Sequence, residues 1–436
     1  MTKMRCLLLL AALSLAIAAG AQQTATGPNE TTAAYQAWML SCLDGLQQDL
    51  PQITASADTA ADLYLNQAHS LLLAGAPGFA SEAYGRAGGI MPIEWIKYWR
   101  RPDERAAVLY ALREEALPED YQIIRRLVGQ GCQVILFARK SLLEEAQKEG
   151  IKPLGVVDLH AAAHGGLFAA PDGQWLVPTD PIARMAAEWV WQGEFVAACT
   201  RRGKMPAMWK SNGAEEGMVW NNLYRRRRFH DTAPSAVPPG VLGQAYLDAV
   251  RRDLRTLYAS ESGRIVQVAQ WAVEARAAGR TAYTFSNGHG ALLDPGSPHD
   301  PRYFRQLSTE EYTVDPAVTL APGDVILYIG QGGMPVEWGA FANRDVPGDW
   351  RKAGVKLAWS FGNLWTREFC RQVALIKPDE PFLDQHFAYA DASVWIEGYP
   401  MGILPDSGIT SEAVLWLATA EVFGRLQPPP PPAPAK

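Results

Sequence analysis

Apolar residues at helical spacing occur in two stretches of the chain, one in each half. The matching positions are Tyr35 and Tyr246, Met39 and Val250, Leu43 and Leu254, and Leu46 and Leu257. Each pair is 211 positions apart, and the spacing within each stretch predicts an amphipathic helix. The same displacement continues through a second predicted helix into an apolar run that ends in a glycine-bearing loop. Because a repeat of this length is far longer than a solenoid unit, the pattern predicts a duplicated fold with two lobes.

Beyond the two leading helices, short apolar runs alternate with helical patterns in each half. This alternation is typical of a parallel sheet with helices on both faces, and it predicts an α/β fold of two tandem three-layer αβα lobes. The strands predicted for the first lobe are 70–74, 107–112, 132–138 and 175–177, and those for the second are 281–285, 324–329, 355–360 and 393–396.

Length and composition place the boundaries of the lobes. The 436 residues suit two domains, and an apolar content of 48% lets each lobe bury a core. Residues 231–243 are rich in Thr, Ala, Pro, Ser and Gly without apolar periodicity, which predicts a linker between lobe one (30–230) and lobe two (244–427). Residues 428–436 are mostly proline and predict an extended tail.

The N-terminus has the layout of a secretory signal peptide. Lys3 and Arg5 precede an apolar run over 6–19, and small residues follow up to Ala21. We therefore expect residues 1–21 to be removed by cleavage near Ala21, which gives a periplasmic or secreted protein. The apolar run is short for a membrane span, and no later segment predicts one. The four remaining cysteines are scattered along the chain. They are either buried free thiols or members of disulfides, and the sequence leaves both alternatives open.

Charge argues against nucleic acid as a partner. The net charge is −6, and no basic stripe of useful length occurs. Arg225 to Arg228 form a basic cluster at a predicted helix end just before the linker. A solvated helix end is the interpretation that this position favours.

Three loops of lobe two lie at the carboxyl ends of predicted strands, where ligands of parallel sheets bind. Glycines in the loops 285–290 and 329–333 let backbone N–H groups turn toward a ligand. The third loop, 405–410, leads into a helix expected to begin near Ser411. Together the loops predict a site for a small anionic or sugar-like molecule. The candidate ligand-binding residues are Asn287, Gly288, Gly290, Gly332, Gly333, Ser407, Thr410 and Glu412.

Two of these loops resemble those of the sugar isomerase (SIS) domain family. The first reads Phe285-Ser286-Asn287-Gly288-His289-Gly290, and the second reads Ile329-Gly330-Gln331-Gly332-Gly333 with Pro335-Val336-Glu337 behind it. The resemblance covers most of both lobes and implies an SIS-like fold that binds a phosphosugar or an amino sugar. A tandem pair of such lobes is similar to the isomerase half of glucosamine-6-phosphate synthase, which implies aldose–ketose isomerisation without a metal or another cofactor.

Several positions depart from the pattern of the family. Gly290 and Gly332 stand where the family has serine. In lobe one the second loop carries Glu114 and Glu115, whose charges would repel a phosphate dianion, with Arg113 beside them as a potential offset. Lobe one is therefore expected to be a degenerate copy. Export also favours a neutral or amino sugar over a phosphosugar as the ligand.

Isomerisation needs a base that moves a proton and an acid that helps to open the sugar ring. Glu337 is the candidate base and His289 the candidate acid. Both have structural alternatives, because Glu337 also suits the start of a helix and His289 also suits a backbone hydrogen bond. A non-catalytic binding or scaffold protein is therefore the alternative function.

Metal binding and assembly receive little support from the sequence. Asp158 and His160 recur as Asp384 and His386, but no third ligand is spaced to complete a metal site, so none is expected. SIS lobes meet through their helices, and a homodimer stays open because the tandem pair could satisfy that contact internally.

Overall fold

The computed structural model describes residues 27–66, 69–99, 105–212, 214–287, 296–310, 313–330, 345–362 and 373–426. The predicted signal peptide and the predicted proline tail lie outside these ranges. None of the described helices combines the length and the apolar character needed to cross a bilayer.

Lobe one begins with two helices and then alternates strands with helices. Its helices are α1 (Glu30–Gln48), α2 (Leu50–Asn66), α3 (Pro77–Ala83), α4 (Leu117–Gly129), α5 (Lys140–Lys148), α6 (Asp180–Arg201) and α7 (Gly217–Tyr224). Its strands are β1 (Ser70–Gly75), β2 (Ile93–Trp95), β3 (Ala106–Ala111), β4 (Gln133–Ala138), β5 (Gly155–Asp158), β6 (Gly166–Ala169) and β7 (Trp175–Pro178). Short 3-10 turns lie at Ile96–Tyr98 and Glu114–Ala116.

Lobe two follows the same plan with one long leading helix. Its described helices are α8 (Val241–Ala277), α9 (Val346–Lys352) and α10 (Ser407–Leu426). Its described strands are β8 (Ala282–Asn287), β9 (Arg305–Gln306), β10 (Ser308–Glu310), β11 (Thr313–Val314), β12 (Val325–Gly330), β13 (Lys356–Phe361) and β14 (Phe382–Asp384).

The expectation of two leading helices is wrong for lobe two, where α8 runs unbroken for 37 residues. In lobe one the break falls at Asp49, directly before Leu50 and Pro51. Proline lacks the N–H that would continue the ladder of the preceding helix, so it suits only the first turn of a new one. The position 211 residues later is Ser262, which lets α8 continue.

Each lobe contains a five-stranded sheet whose strands are all parallel. The strand order is β2-β1-β3-β4-β5 in lobe one and β9-β8-β12-β13-β14 in lobe two, so the two sheets share one topology. Helices α4 and α5 cover the outer face of the first sheet, and α9 packs on the outer face of the second. The predicted α/β fold of two three-layer lobes is confirmed.

The fourth strand predicted in each lobe is wrong. Residues 175–177 lie in β7, which pairs antiparallel with β6 outside the main sheet. Residues 393–396 make an isolated bridge from Val394 to Ile403. The fifth position of each sheet is instead filled by β5 and β14, both too short to give a clear alternating pattern.

A single hydrophobic core continues from one lobe into the other. Helix α8 packs against α6 and α10, and α10 also packs against α1. Trp189 and Trp191 of α6 and Trp416 of α10 are fully buried in this shared core. Cys42, Cys132 and Cys199 are buried free thiols, and Cys370 lies outside the described residues.

The long helix after each sheet caps the first helix of the other lobe. Glu194 of α6 accepts hydrogen bonds from the backbone N–H groups of Gly240 at 2.7 Å and Gly243 at 2.8 Å, where α8 begins. Glu421 of α10 accepts from the backbone N–H of Asn29 at 2.9 Å and from the Thr32 hydroxyl at 2.6 Å, where α1 begins. Both carboxylates are fully buried. Helix starts leave N–H groups without partners and attract negative charge, so each lobe completes the other.

Two tyrosines repeat a second contact within the lobes. The Tyr35 hydroxyl donates to the carbonyl of Pro178 at 2.6 Å, and the Tyr246 hydroxyl donates to the carbonyl of Pro405 at 2.8 Å. Each bond ties the first helix of a lobe to the segment before its α6 or α10. The apolar stripes that first indicated the duplication therefore occupy matching places.

Replacing Glu421 by alanine should destabilise the whole chain, because the Asn29 N–H and the Thr32 hydroxyl would lose a buried acceptor. We expect a loss of about 2–4 kcal/mol in the free energy of unfolding, measured in urea. Glu144→Ala on the exposed side of α5 is the control and should leave the transition near that of the wild type. An unchanged midpoint for Glu421→Ala would contradict the capping role.

Candidate functional site

The inner face of the lobe-two sheet carries buried polar side chains from the middle of β8 to the carboxyl ends of the strands. We call this group the polar layer, and it consists of Thr284 and Ser286 of β8, Ser360 of β13, Gln385 after β14, and Ser411 of α10. All five are buried, with at most 3% of the residue exposed. Hydroxyl and amide groups such as these both donate and accept hydrogen bonds without carrying charge.

The members of the polar layer bond to one another. The hydroxyl oxygens of Thr284 and Ser286 are 3.2 Å apart. The Gln385 amide donates to the Ser360 hydroxyl at 3.2 Å and accepts from the Ser411 hydroxyl at 3.0 Å. The second group thus links β13 to the first turns of α10, while the hydroxyl pair lies within β8.

The corresponding face of lobe one is apolar. Leu73 pairs with Leu109 in β3 as Thr284 pairs with Leu327 in β12, so Leu73 and Thr284 occupy equivalent places. By the same register Phe137 corresponds to Ser360. The ring of Phe79 from α3 lies 5.0 Å from that of Phe137 and fills this end of the sheet.

The start of α10 holds a carboxylate from its own lobe. Asp391 accepts from the backbone N–H groups of Asp406 at 3.2 Å and Ser407 at 3.1 Å, and from the Ser407 hydroxyl at 2.8 Å. Arg86 of lobe one reaches the same place, where it pairs with Asp391 at 2.9 Å and donates to the Ser407 hydroxyl. This helix start is an anion site that the protein itself occupies.

The three predicted site residues of α10 are fully buried. Helix α10 begins at Ser407, four residues before the expected start near Ser411. The Thr410 hydroxyl donates to the Ser407 carbonyl at 3.2 Å, and Glu412 accepts from the indole N–H of Trp416. A ligand would reach Ser407 only by displacing Asp391 or Arg86. The ligand-binding role of Ser407, Thr410 and Glu412 stays a prediction.

The remaining predicted site residues fall at the edge of the described ranges or beyond it. The backbone of Asn287 ends β8 opposite Gly330. Outside the described residues lie the Asn287 side chain and Gly288, His289, Gly290, Gly332, Gly333 and Glu337. Their roles in binding and catalysis stay predictions.

The strand ends of lobe one are closed by an ionic network that includes lobe two. Glu114 pairs with Arg139 at 2.8 Å and with His299 of lobe two at 2.8 Å. Arg139 also pairs with Asp180 at the start of α6, at 2.8 Å. Nδ1 of His299 donates to the carbonyl of Trp175 at 2.8 Å. The hydrogen bond from His299 and the charge of Arg139 lower the pKa of Glu114 to about 2, and the same bond raises the pKa of His299.

Arg113 does not offset the charge of Glu114. Its guanidinium donates to Asp120 from Nε at 2.9 Å, and its backbone N–H donates to the same carboxylate at 2.7 Å. Arg139, which the sequence did not single out, takes that part instead.

The recurring aspartate and histidine pairs lie in ordinary contacts. His160 is 2.8 Å from a carboxylate oxygen of Asp49, and His386 is 3.4 Å from one of Glu261. Across the part of the chain that the structure describes, no three His, Cys, Asp or Glu side chains are grouped as metal ligands would be.

No protein-family model matches the chain, and no curated protein sequence matches it. Solved structures match most of its length. A tagatose-6-phosphate ketose/aldose isomerase from Escherichia coli gives a TM-score of 0.43 at 10% identity, covering 91% of this chain and 94% of its own. A protein of Salmonella typhimurium LT2, assigned provisionally as sugar-binding, gives 0.45 at 10% identity over 89% and 99%. Because these scores are below 0.5, the α/β architecture stands on the strand order and register of the chain itself.

The contact between Glu114 and His299 should make stability depend on pH. Because the pKa of His299 is raised in the folded protein, its contact stabilises the fold below the ordinary histidine pKa of 6.5. This stabilisation is lost as the pH rises through the pKa of the folded state. Because the pKa of Glu114 is lowered in the folded protein, its contact stabilises the fold above the ordinary glutamate pKa of 4.5. This stabilisation is lost as the pH falls toward about 2. The pair therefore contributes most between these two ordinary values.

Urea unfolding of wild type and Glu114→Gln from pH 5 to pH 9 checks this dependence. We expect the difference in stability to be largest near pH 5.5 and to shrink above about pH 6.5. Glu115→Gln makes the same charge change next door and should show no such trend. A difference that is constant over the range would show that the contact does not titrate.

Proposed function

We propose that the chain binds one sugar derivative at the polar layer of lobe two. The observation that carries this proposal is the contrast between the inner faces of the two sheets, since neutral hydrogen-bonding groups occupy this face in lobe two and apolar side chains occupy it in lobe one. A hydroxyl-rich ligand matches groups that both donate and accept. The loop resemblance to SIS domains supports the same edge of the sheet.

The charges around the polar layer favour a neutral or amino sugar over a phosphosugar. Asp384 and Glu412 adjoin Gln385 and Ser411 in the chain, and Asp391 already fills the anion site at the start of α10. A phosphate dianion close to these carboxylates would be repelled, whereas an ammonium group would be attracted. Because the layer is buried, the strand ends have to open locally for the ligand to enter.

Thermal stabilisation of the mature chain from Gln22 onward, which keeps every described residue, tests the proposal. Amino sugars and neutral sugars should raise the melting temperature more than sugar phosphates do. The pair Thr284→Val and Ser360→Ala should abolish the shift, because both hydroxyls that meet the ligand are removed. Thr256→Val, on the exposed side of α8, should retain it. Equal shifts for wild type and the double variant would reject binding at the polar layer.

The proposal extends to catalysis, in which the bound sugar is isomerised with Glu337 as the base. Transfer of a proton between adjacent carbons through an acid and a base would exchange deuterium from solvent into the sugar. Incubation of a bound sugar in D₂O should give exchange by NMR that falls at least a hundredfold in Glu337→Gln. Binding without exchange in the wild type would assign the chain to the non-catalytic alternative, which the closed strand ends of lobe one favour.

Export is part of the same proposal. An exported protein would meet its sugar outside the cytoplasm, where free sugars and amino sugars are available without phosphorylation. Mass spectrometry of the N-terminus after expression in a bacterial host should find Gln22 as the first residue, and an intact Met1 would contradict export.

A further inference from the structure

Helix α6 carries a buried carboxyl group that no cation pairs with in the part of the chain that the structure describes. Glu188 lies in the middle of α6 and is fully buried. Neither of its carboxyl oxygens has a hydrogen-bond partner within the described ranges. A carboxylate without partners is very costly to bury, whereas the neutral acid costs far less. The surroundings of Glu188 therefore favour its protonated form.

The charged groups that face Glu188 add to this cost. They are Glu82 of α3, which is itself fully buried, and Arg184, one turn earlier on α6. Arg184 already pairs with Asp180 at 3.9 Å. Burial and repulsion by Glu82 raise the pKa of Glu188 well above its ordinary value, and the charge of Arg184 opposes them only in part.

Other buried acids occur on α6 and on the helices packed against it, α1, α2, α3, α8 and α10. Among the described residues these acids have partners of their own, namely Glu194 and Glu421 at helix starts, Glu412 at Trp416, Asp253 at Arg252 and Glu261 at Arg264. Glu188 differs from them because it has only Glu82 beside it and a cation that is paired elsewhere.

Glu82 connects this site to lobe two. Its carboxylate accepts from the indole N–H of Trp189 at 3.1 Å and lies 3.7 Å from Arg86, the arginine that reaches the start of α10. The backbone of Gly408 in α10 lies against the same carboxylate, since a Cβ built on Gly408 would be 2.5 Å from Oε1. A negative charge on Glu188 would therefore repel a side chain that contacts both lobes.

The fold does not require an acid at this position. Matching residues of α6 and α10 are 227 positions apart, as in Trp189 and Trp416 and in Glu194 and Glu421. By the same displacement Glu188 corresponds to Leu415, which lies in the shared core. The buried carboxyl group is thus a feature of lobe one alone.

We propose that Glu188 is a protonation-dependent contact between α3 and α6. The folded chain holds Glu188 as the neutral acid. Loss of its proton as the pH rises places two negative charges next to each other, and their repulsion moves α3 away from α6. Glu82 then leaves Gly408 and Arg86, which loosens the contact between the lobes.

Urea unfolding of the mature chain from Gln22, between pH 5 and pH 9, tests this contact. The unfolded chain releases the Glu188 proton near the ordinary pKa of 4.5, whereas the folded chain keeps it. The stability that the proton supplies is therefore complete below 4.5 and is lost with rising pH until the folded group ionises. Over this range the unfolding constant of wild type, relative to that of Glu188→Gln, should rise about tenfold per pH unit.

Glu144→Gln, an exposed acid on α5, is the control and should show no such slope. Glu188→Leu copies the residue at the matching place of α10 and should behave like Glu188→Gln, which keeps the test open if the glutamine variant does not fold. A ratio of unfolding constants that stays the same from pH 5 to pH 9 would overturn the proposal.

Two further measurements separate this contact from a substitution that only changes stability. Difference infrared spectra at pH 6, wild type against Glu188→Gln, should contain the carbonyl band of a protonated carboxylic acid. Hydrogen exchange at pH 9 should be at least about tenfold faster for α3 of wild type than for α3 of the variant, with α5 unchanged. A missing band, or equal exchange of α3 in the two proteins, would show that Glu188 does not hold the lobes together through its proton.

Discussion

The exchange of helix caps between the lobes is the constraint on which the rest of the structure depends. A carboxylate is costly to bury unless hydrogen bonds satisfy it, and the N–H groups at a helix start need an acceptor. Glu194 and Glu421 each accept hydrogen bonds from the start of the first helix of the other lobe, so the buried carboxylate and the helix start both gain partners. Asn29 also caps α1 from within its own segment, through its side chain at the Thr32 N–H, so the buried carboxylates add a second cap that comes from the other lobe. The continuous core between α6, α8 and α10 lies beside these contacts.

The same interlocking sets the character of the two strand-end regions. Lobe two sends His299 to the network of Glu114 and Arg139, and lobe one sends Arg86 to the start of α10. The starts of α6 and α10 therefore each hold a carboxylate paired with an arginine, and neither is an open anion site. The lobes differ on the inner faces of their sheets. There Phe137 packs against Phe79 in lobe one, whereas Ser360 bonds to Gln385 in lobe two. One fold therefore presents a closed end and a polar end.

Several features of the fold could be predicted because local pattern encodes them. Three strands in each sheet are apolar runs between turn signals, and the helical stripes of Tyr35 and Tyr246 mark the leading helices. Strands of two or three residues such as β2 and β9 leave no such pattern, so the edges of both sheets were missed. Within the site, Thr284 and Ser360 left a signal in hindsight. Each is a hydroxyl that follows an alanine at the preceding inward position of its strand, Ala282 in β8 and Ala358 in β13.

By itself the sequence determined the alternation of helices and strands and the two-lobe plan, because these follow from residue order and spacing. The edge of the sheet where a ligand would bind stays a prediction. Tertiary structure alone decided which side chains meet. Glu421 reaches Asn29 across 392 positions, Arg86 reaches Ser407 across 321, and Arg139 reaches Asp180 across 41. The first two contacts depend on how the lobes cross, and the third depends on how the segment after β4 meets α6 within lobe one. The carboxylates that fill the helix starts could therefore not be assigned from spacing, since a local pattern carries no information about partners this far along the chain.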